Sequence, residues 1–253
     1  MIDLHSHLLP GVDDGAQTSE DSLILAELAI REGIKHLVLT PHHRNHRYIN
    51  HAKDVCEATE DLVKHCQTNG IELDMRASQE IRIYERLLDD IYGGDLLSLD
   101  EEGRYFLIEF PTKSIPDYAS SLLKAMIREG MTPVIAHPER QHVFAKDLNK
   151  LYDFIAMGCV GQLTASSYIG AFGGELKRIS QQMIEHNLVH VLASDTHNTT
   201  NRPYNMRRAF EQLRAEYGDA MVSYFHENAR CIWDGDTGRW ATPKKKKRWF
   251  NLF

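Results

Sequence analysis

The feature that most constrains this chain is a recurring pattern. Short apolar runs, most of them ending in a histidine or a carboxylate, are separated by amphipathic stretches. The first is Ile2-Asp3-Leu4-His5-Ser6-His7. Side chains alternate across a strand, so His5 and His7 point the same way. Further apolar runs lie at 34–40, 71–77, 105–108, 133–136, 159–163 and 189–193. Most are separated by helical patterns closed by glycine. Thr18 or Ser19 caps the first, whose face is Ile24, Leu25, Leu28 and Ala29, and Gly33 stops it. Pro116 opens another, with Leu122, Leu123, Met126 and Ile127 inward. Such alternation predicts an α/β chain with a largely parallel sheet covered on both faces. A barrel is favoured over an open sheet, because strand ends converge on one site only when the sheet closes.

Six of the seven runs finish in residue types that bind metal: His5 and His7, His42, Glu80, Glu109, His137, and Asp195 with His197. Glu80 and Glu109 also adjoin apolar residues, where a carboxylate is costly to bury without a cation. The set is imidazole and carboxylate with no thiolate, which suits manganese, iron or zinc. It is too large for one tetrahedral ion, so two or three are expected, with Glu80 or Glu109 as a bridge. A multinuclear centre lowers the pKa of bound water and neutralises charge in phosphoryl displacement. Arg140 and Arg202 follow His137 and His197 closely, and a planar guanidinium holds phosphate bidentately.

Composition narrows the class. A net charge of -7 argues against nucleic-acid binding, which needs a basic face. The four cysteines are scattered with no Cys-x-x-Cys, so no disulfide framework is expected and a reducing cytoplasm fits. No Cys-x5-Arg loop occurs, which sets aside a cysteine nucleophile. The start of the chain has neither a basic n-region nor a long apolar run, so neither signal peptide nor membrane span is expected.

Taken in order, Asp3-Leu4-His5-Ser6-His7, Asp13-Asp14-Gly15, Thr40-Pro41-His42-His43, Gln79-Glu80-Ile81, Ile108-Glu109-Phe110-Pro111, Ala136-His137-Pro138-Glu139-Arg140 and Ala193-Ser194-Asp195-Thr196-His197 resemble the polymerase-and-histidinol-phosphatase (PHP) superfamily. Within it the chain is most similar to bacterial manganese-dependent protein-tyrosine phosphatases of capsule and exopolysaccharide loci. The resemblance implies a distorted seven-stranded (β/α)7 barrel over 1–242 and three metal ions. One ion would take His5, His7, Glu80 and Asp195; a second Glu80, Glu109 and His137; a third His42, His197 and one aspartate, Asp14 being preferred to Asp13. Arg140 and Arg202 would hold phosphate while a metal-activated hydroxide attacks. A cluster histidine such as His42, or bound water, would serve the leaving phenolate. His43 is a candidate substrate contact, with His46 and His51 as loop residues beside it; Arg82 and Tyr84 are candidates for the mouth of the site.

The implied substrate is a phosphotyrosine protein, a tyrosine kinase of polysaccharide export being the natural partner. Rival readings are a small-molecule phosphatase of the histidinol-phosphate kind, a nuclease on the same scaffold, and a metal-binding regulatory module without turnover. The segment 243–253, with Lys244 to Arg248 followed by Trp249 and Phe250, reads as a solvated end, a contact for anionic lipid, or a partner-docking tail.

Overall fold

The computed structural model describes residues 1–246. In chain order, β1 (Ile2–Ser6) and α1 (Ser19–Glu32) lead to β2 (His36–Leu39), β3 (His42–His43) and α2 (Ala52–Thr68). Then come β4 (Asp74–Ala77), β5 (Glu80–Arg82), α3 (Leu87–Tyr92), β6 (Tyr105–Glu109), α4 (Ala119–Arg128) and β7 (Thr132–Ala136). A 3-10 turn (Pro138–Arg140), α5 (His142–Lys146) and α6 (Leu148–Met157) precede β8 (Val160–Thr164), α7 (Ala165–Tyr168), α8 (Gly174–Glu185) and β9 (Val191–Ala193). Two last helices follow, α9 (Met206–Tyr217) and α10 (Asp219–Trp233).

Every ladder between these strands is parallel, in the orders β1-β2-β4 and β3-β5-β6-β7-β8-β9. Two of the expected strands are each followed, past a break, by a second short strand. Pro41 lacks an N–H and cannot continue a ladder, so β2 stops before it and β3 starts after it. Ser78-Gln79 likewise separates β4 from β5. β4 pairs with β2 (Val38 opposite Arg76), and β5 lies between β3 (His42 opposite Glu80) and β6 (Ile81 opposite Ile108). The ring closes where β1 meets the chain after β9. A single bridge, Ser6 to Thr196, is flanked by the His7 N–H donating to the Thr196 carbonyl and the Asp195 N–H to the His5 carbonyl, both at 2.9 Å. Seven runs in sequence order therefore make the expected distorted barrel.

Local chemistry explains the helix starts and stops. Thr18 and Asp21 form a reciprocal capping box at the head of α1, and Gly33 ends it in the left-handed region at φ 88°. Ile24 departs from the inward face assigned to it and stays 49% exposed, while Leu25, Ala26 and Ala29 are buried. Pro116 begins a turn, accepting from the Ala119 N–H at 3.0 Å, and α4 starts only there. Leu4, Val38, Leu107, Val134, Val160 and Val191 share one inner cluster. Ile232 and Trp233 of α10 join that cluster, and Trp233 meets the His36 ring at the start of β2. A larger cluster packs the helices around the outside.

Among the described residues no helix is long and apolar enough to cross a membrane. Of the basic C-terminal stretch, Lys244 donates its N–H to the His186 carbonyl, and Lys246 exchanges two hydrogen bonds with the Asn149 side chain. Residues 247–253, on which the lipid or partner contact of Trp249 and Phe250 would rest, lie outside the described residues.

Candidate metal centre

At the C-terminal mouth of the barrel, His5 and His7 do converge. Their Nε2 atoms are 3.1 Å apart. Glu80 Oε2 lies 3.4 Å from the first and 3.6 Å from the second, and Asp195 Oδ1 is 3.5 Å from both. Four donors about 2.1 Å from a common centre would form a tetrahedron with edges of about 3.4 Å. The spacing therefore fits a cation held between them.

Next to this set, Glu80 Oε1 meets His137 Nε2 at 2.6 Å, and Glu80 Oε2 lies 2.8 Å from His42 Nδ1. That second approach is close but not aligned as a hydrogen bond, and both atoms remain without one. His42, Glu80 and Glu109 gather within 4.8 Å, so His42 joins Glu80 and Glu109 beside His137. His42 also turns Nε2 toward Asp14 Oδ1 at 3.2 Å, with His197 Nε2 at 3.5 Å from the same oxygen. His7, Asp14, His42 and His197 form a third gathering within 4.8 Å. Glu109 Oε2 and His197 Nε2 are likewise buried without hydrogen-bond partners. Orphaned lone pairs at one place, on nitrogen and oxygen donors, are what a cation would satisfy.

Charge tells the same story. Burial alone would neutralise Glu80, but the imidazoles of His42, His5 and His137 hold its carboxyl well below the usual carboxylate range. Burial, with Glu80 alongside, pushes Glu109 up to about 7 despite Arg82 at 3.0 Å. Burial brings His137 and His197 down to about 4, so both are neutral at ordinary pH, the form that ligates metal. His42 is held up at about 11 against its burial by Glu80 and Asp14. Two carboxylates there demand a positive charge.

Arg140 and Arg202 reach the same mouth. Arg140 Nη2 donates to Asp195 Oδ2, and Arg202 Nη2 contacts both Asp195 oxygens at 2.8 and 2.9 Å. Despite its burial, the two guanidiniums hold the Asp195 carboxyl well below its ordinary range. With His42, Glu109 and His137 they line a pocket of about 270 Å3. A neighbouring cavity of about 480 Å3 runs from Asp14 and His197 past Tyr48 to the exposed Ile24.

The structure does not bring every candidate to the mouth. His43 is corrected: it follows His42 on β3, so alternation turns it to the opposite face. It is fully buried there, with Nδ1 2.7 Å from the Asn50 carbonyl and its ring edge-on to His51. Tyr84 donates to Asp90 at 2.6 Å and packs under Arg44 in a separate cavity, whereas Arg82 does meet Glu109. Two residues support the donors from behind: Asp13, the alternative to Asp14 in the sequence, and Gln162, which the sequence did not single out. Asp13 accepts from His7 Nδ1 at 2.7 Å and from the backbone N–H groups of Gly15 and His42. Gln162 Oε1 meets His5 Nδ1 at 2.9 Å. Orienting partners of this kind fix imidazole tautomer and direction. Asp13 was visible in the Asp13-Asp14-Gly15 motif, whereas Gln162 sits in an apolar run with nothing to mark it.

Known proteins resemble this chain throughout its length. The tyrosine-protein phosphatase YwqE of Bacillus subtilis is 38% identical over 255 residues, covering 100% of both chains. The putative tyrosine-protein phosphatase CapC of Staphylococcus aureus is 34% identical over 256 residues, again covering 100% of both. A crystal structure from work on YwqE and the Streptococcus pneumoniae protein CpsB, described as unique metal-dependent tyrosine phosphatases, superimposes with a TM-score of 0.95. It is 39% identical and covers 98% of this chain and 100% of its own. The family model for capsular polysaccharide synthesis proteins matches residues 1–234, and the chain belongs to that CpsB/CapC family.

Proposed function

We propose that this chain is a metal-dependent protein-tyrosine phosphatase. One observation carries the reading: a buried knot of imidazoles and carboxylates and two guanidiniums face the same small pocket. The names borne by YwqE and CapC, and the 0.95 structural match, support taking the activity over.

Three overlapping groups would hold the ions: His5, His7, Glu80 and Asp195; Glu80 and Glu109 with His42 and His137; and Asp14, His42 and His197. Manganese suits these donors, as do iron and zinc. Bound there, such ions supply Lewis acidity toward phosphoryl oxygens and a water acidic enough to act near neutral pH. The protein's own part is positioning. Arg140 and Arg202 present N–H forks from the rim, where free phosphate oxygens accept them bidentately and the ester oxygen is left facing outward. Asp195 aims both guanidiniums before substrate arrives, so less side-chain freedom is lost on binding. The leaving phenolate has a pKa near 10 and needs little protonation. The cysteines are free, and Cys66 and Cys159 are buried in the outer core, so no thiol of the described residues lines the pocket.

We further propose that the substrate is a tyrosine kinase of polysaccharide export, acted on in the cytoplasm, where free cysteines persist. The test is hydrolysis of a phosphotyrosine peptide and of phenyl phosphate by manganese-loaded protein. Turnover that disappears with chelator and returns with manganese supports the reading. A fully loaded protein that hydrolyses neither compound overturns it in favour of a binding module.

A further inference from the structure

A basic groove opens beside the phosphate pocket. It holds about 740 Å3 and is lined by Lys113, His142, Lys146, Lys150 and Lys246, with the buried Leu148 also in its lining. The chain carries a net charge of -7, yet four lysines gather here and Asp147 is the one acidic residue in the lining. Among the described residues Lys113, Lys146 and Lys150 are exposed, and none of the three is in an ion pair. Elsewhere on the surface, lysines such as Lys53 and Lys64 sit against carboxylates one helical turn away. What sets the groove apart is the clustering of four lysines in one lining on a chain of negative net charge, which concentrates positive potential there.

Two points of the chain join groove to pocket. Thr112 and Gln141 line the phosphate pocket, while their neighbours Lys113 and His142 line the groove. The His142 N–H donates to the Thr112 carbonyl at 2.8 Å, tying these two loops into one wall. Consecutive Cα atoms are about 3.8 Å apart, so the linings of pocket and groove adjoin at both of these points. The far side is fixed as well. Asn149 holds Lys246 by its backbone, and Lys246 Nζ donates to Gln182 at 2.9 Å.

We propose that this groove docks an acidic segment of the phosphoprotein substrate. Its Asp and Glu side chains lie on Lys113, Lys146, Lys150 and Lys246 while the phosphotyrosine enters the adjoining pocket. This rests on the phosphatase reading and adds the chemistry of the sequence around the phosphotyrosine.

The test uses the full-length, manganese-loaded protein. Substrates are a phosphotyrosine peptide flanked by Glu and Asp, its Gln and Asn counterpart, and phenyl phosphate. Wild type should favour the acidic peptide by about tenfold in kcat/KM, an advantage that fades as salt rises. The triple variant Lys113→Glu, Lys146→Glu, Lys150→Glu should lose the preference while its kcat/KM for phenyl phosphate stays as in wild type. Retained preference, or an equal loss on phenyl phosphate, overturns the proposal. Anisotropy with a labelled, unphosphorylated acidic peptide reads docking apart from turnover. Binding by wild type that the triple variant loses supports the groove even if no ester is hydrolysed, an outcome that would sink only the phosphatase reading. Loss of binding to phosphatidylserine vesicles with peptide preference intact would assign the lysines to a membrane and refute peptide docking.

Discussion

Replacing Asp13 by Asn tests the support beneath the metal donors without removing a proposed ligand. The Asp13 carboxylate accepts three hydrogen bonds: His7 Nδ1 at 2.7 Å and the His42 N–H at 3.0 Å on Oδ2, and the Gly15 N–H at 2.8 Å on Oδ1. Its burial is outweighed by His7, which keeps its pKa at about 2, so the group is ionised at neutral pH. An amide has one oxygen and one NH2, and whichever way it turns, the NH2 faces at least one N–H. The better orientation keeps the oxygen toward His7 and His42 and loses the bond to Gly15. A lost hydrogen bond to a charged group costs about 1.5–3 kcal/mol. At about 2 kcal/mol, the melting temperature should fall by about 4–8 °C. The neutral amide is also a weaker acceptor for the His7 Nδ1–H, and such partners are typically worth about 10–100-fold in metal affinity. Thermal unfolding in chelator reads the first effect, and calorimetric titration with manganese reads the second. A variant that binds manganese as wild type does would refute the argument that Asp13 sets His7, even if its stability had dropped.

Arg140→Ala and Arg202→Ala should each weaken inhibition by inorganic phosphate about tenfold or more while bound metal stays unchanged, because a charge-assisted bidentate contact is lost. Metal loss in either variant would show that the assigned role is wrong. Gly15→Ala would place a Cβ 2.1 Å from the His7 carbonyl oxygen, against rigid backbone, so loop or strand must shift by about 1 Å. Activity should drop about 100-fold, measured on phenyl phosphate at saturating metal. His190 is buried, accepts from the Gly161 N–H, and is brought down to about 4 by burial. The unfolded chain takes up that proton below about pH 6.5 and the fold refuses it, so stability is full above that value and declines toward pH 4. The decline totals about 3 kcal/mol. Urea unfolding in chelator should show a steeper loss between those pH values for wild type than for His190→Gln, and parallel curves would contradict it.

Much of this was legible in the sequence because strand period and metal chemistry leave strong marks. His5 and His7 share a face by alternation alone, and ligand-type residues recur at strand ends whatever lies between. The breaks at Pro41 and at Ser78-Gln79 were harder to read. A buried strand and a broken one show the same apolar run, and the change of partner from β2 to β6 is decided by non-local pairing. The same limit applied to His43, where composition favoured a contact and β3, too short to show a pattern, put it on the other face. Helices α9 and α10 carried no site residues and drew no reading, although Trp233 completes the inner cluster. Gln162 acts only through its distance to His5, which a one-dimensional pattern does not contain.

The closure of the barrel has one more consequence. Where β1 meets the end of β9 the ladder has thinned to a single bridge, and the side chains on its two sides are His5 and His7 facing Asp195 and His197. An ion shared by those groups would act as a clasp across the seam, fastening the first residues of the chain to a segment nearly two hundred positions later. Metal that binds only the folded chain would then add to the stability of the whole domain. Cells short of the metal would lose the protein through exposure of that seam to proteases as well as losing its chemistry.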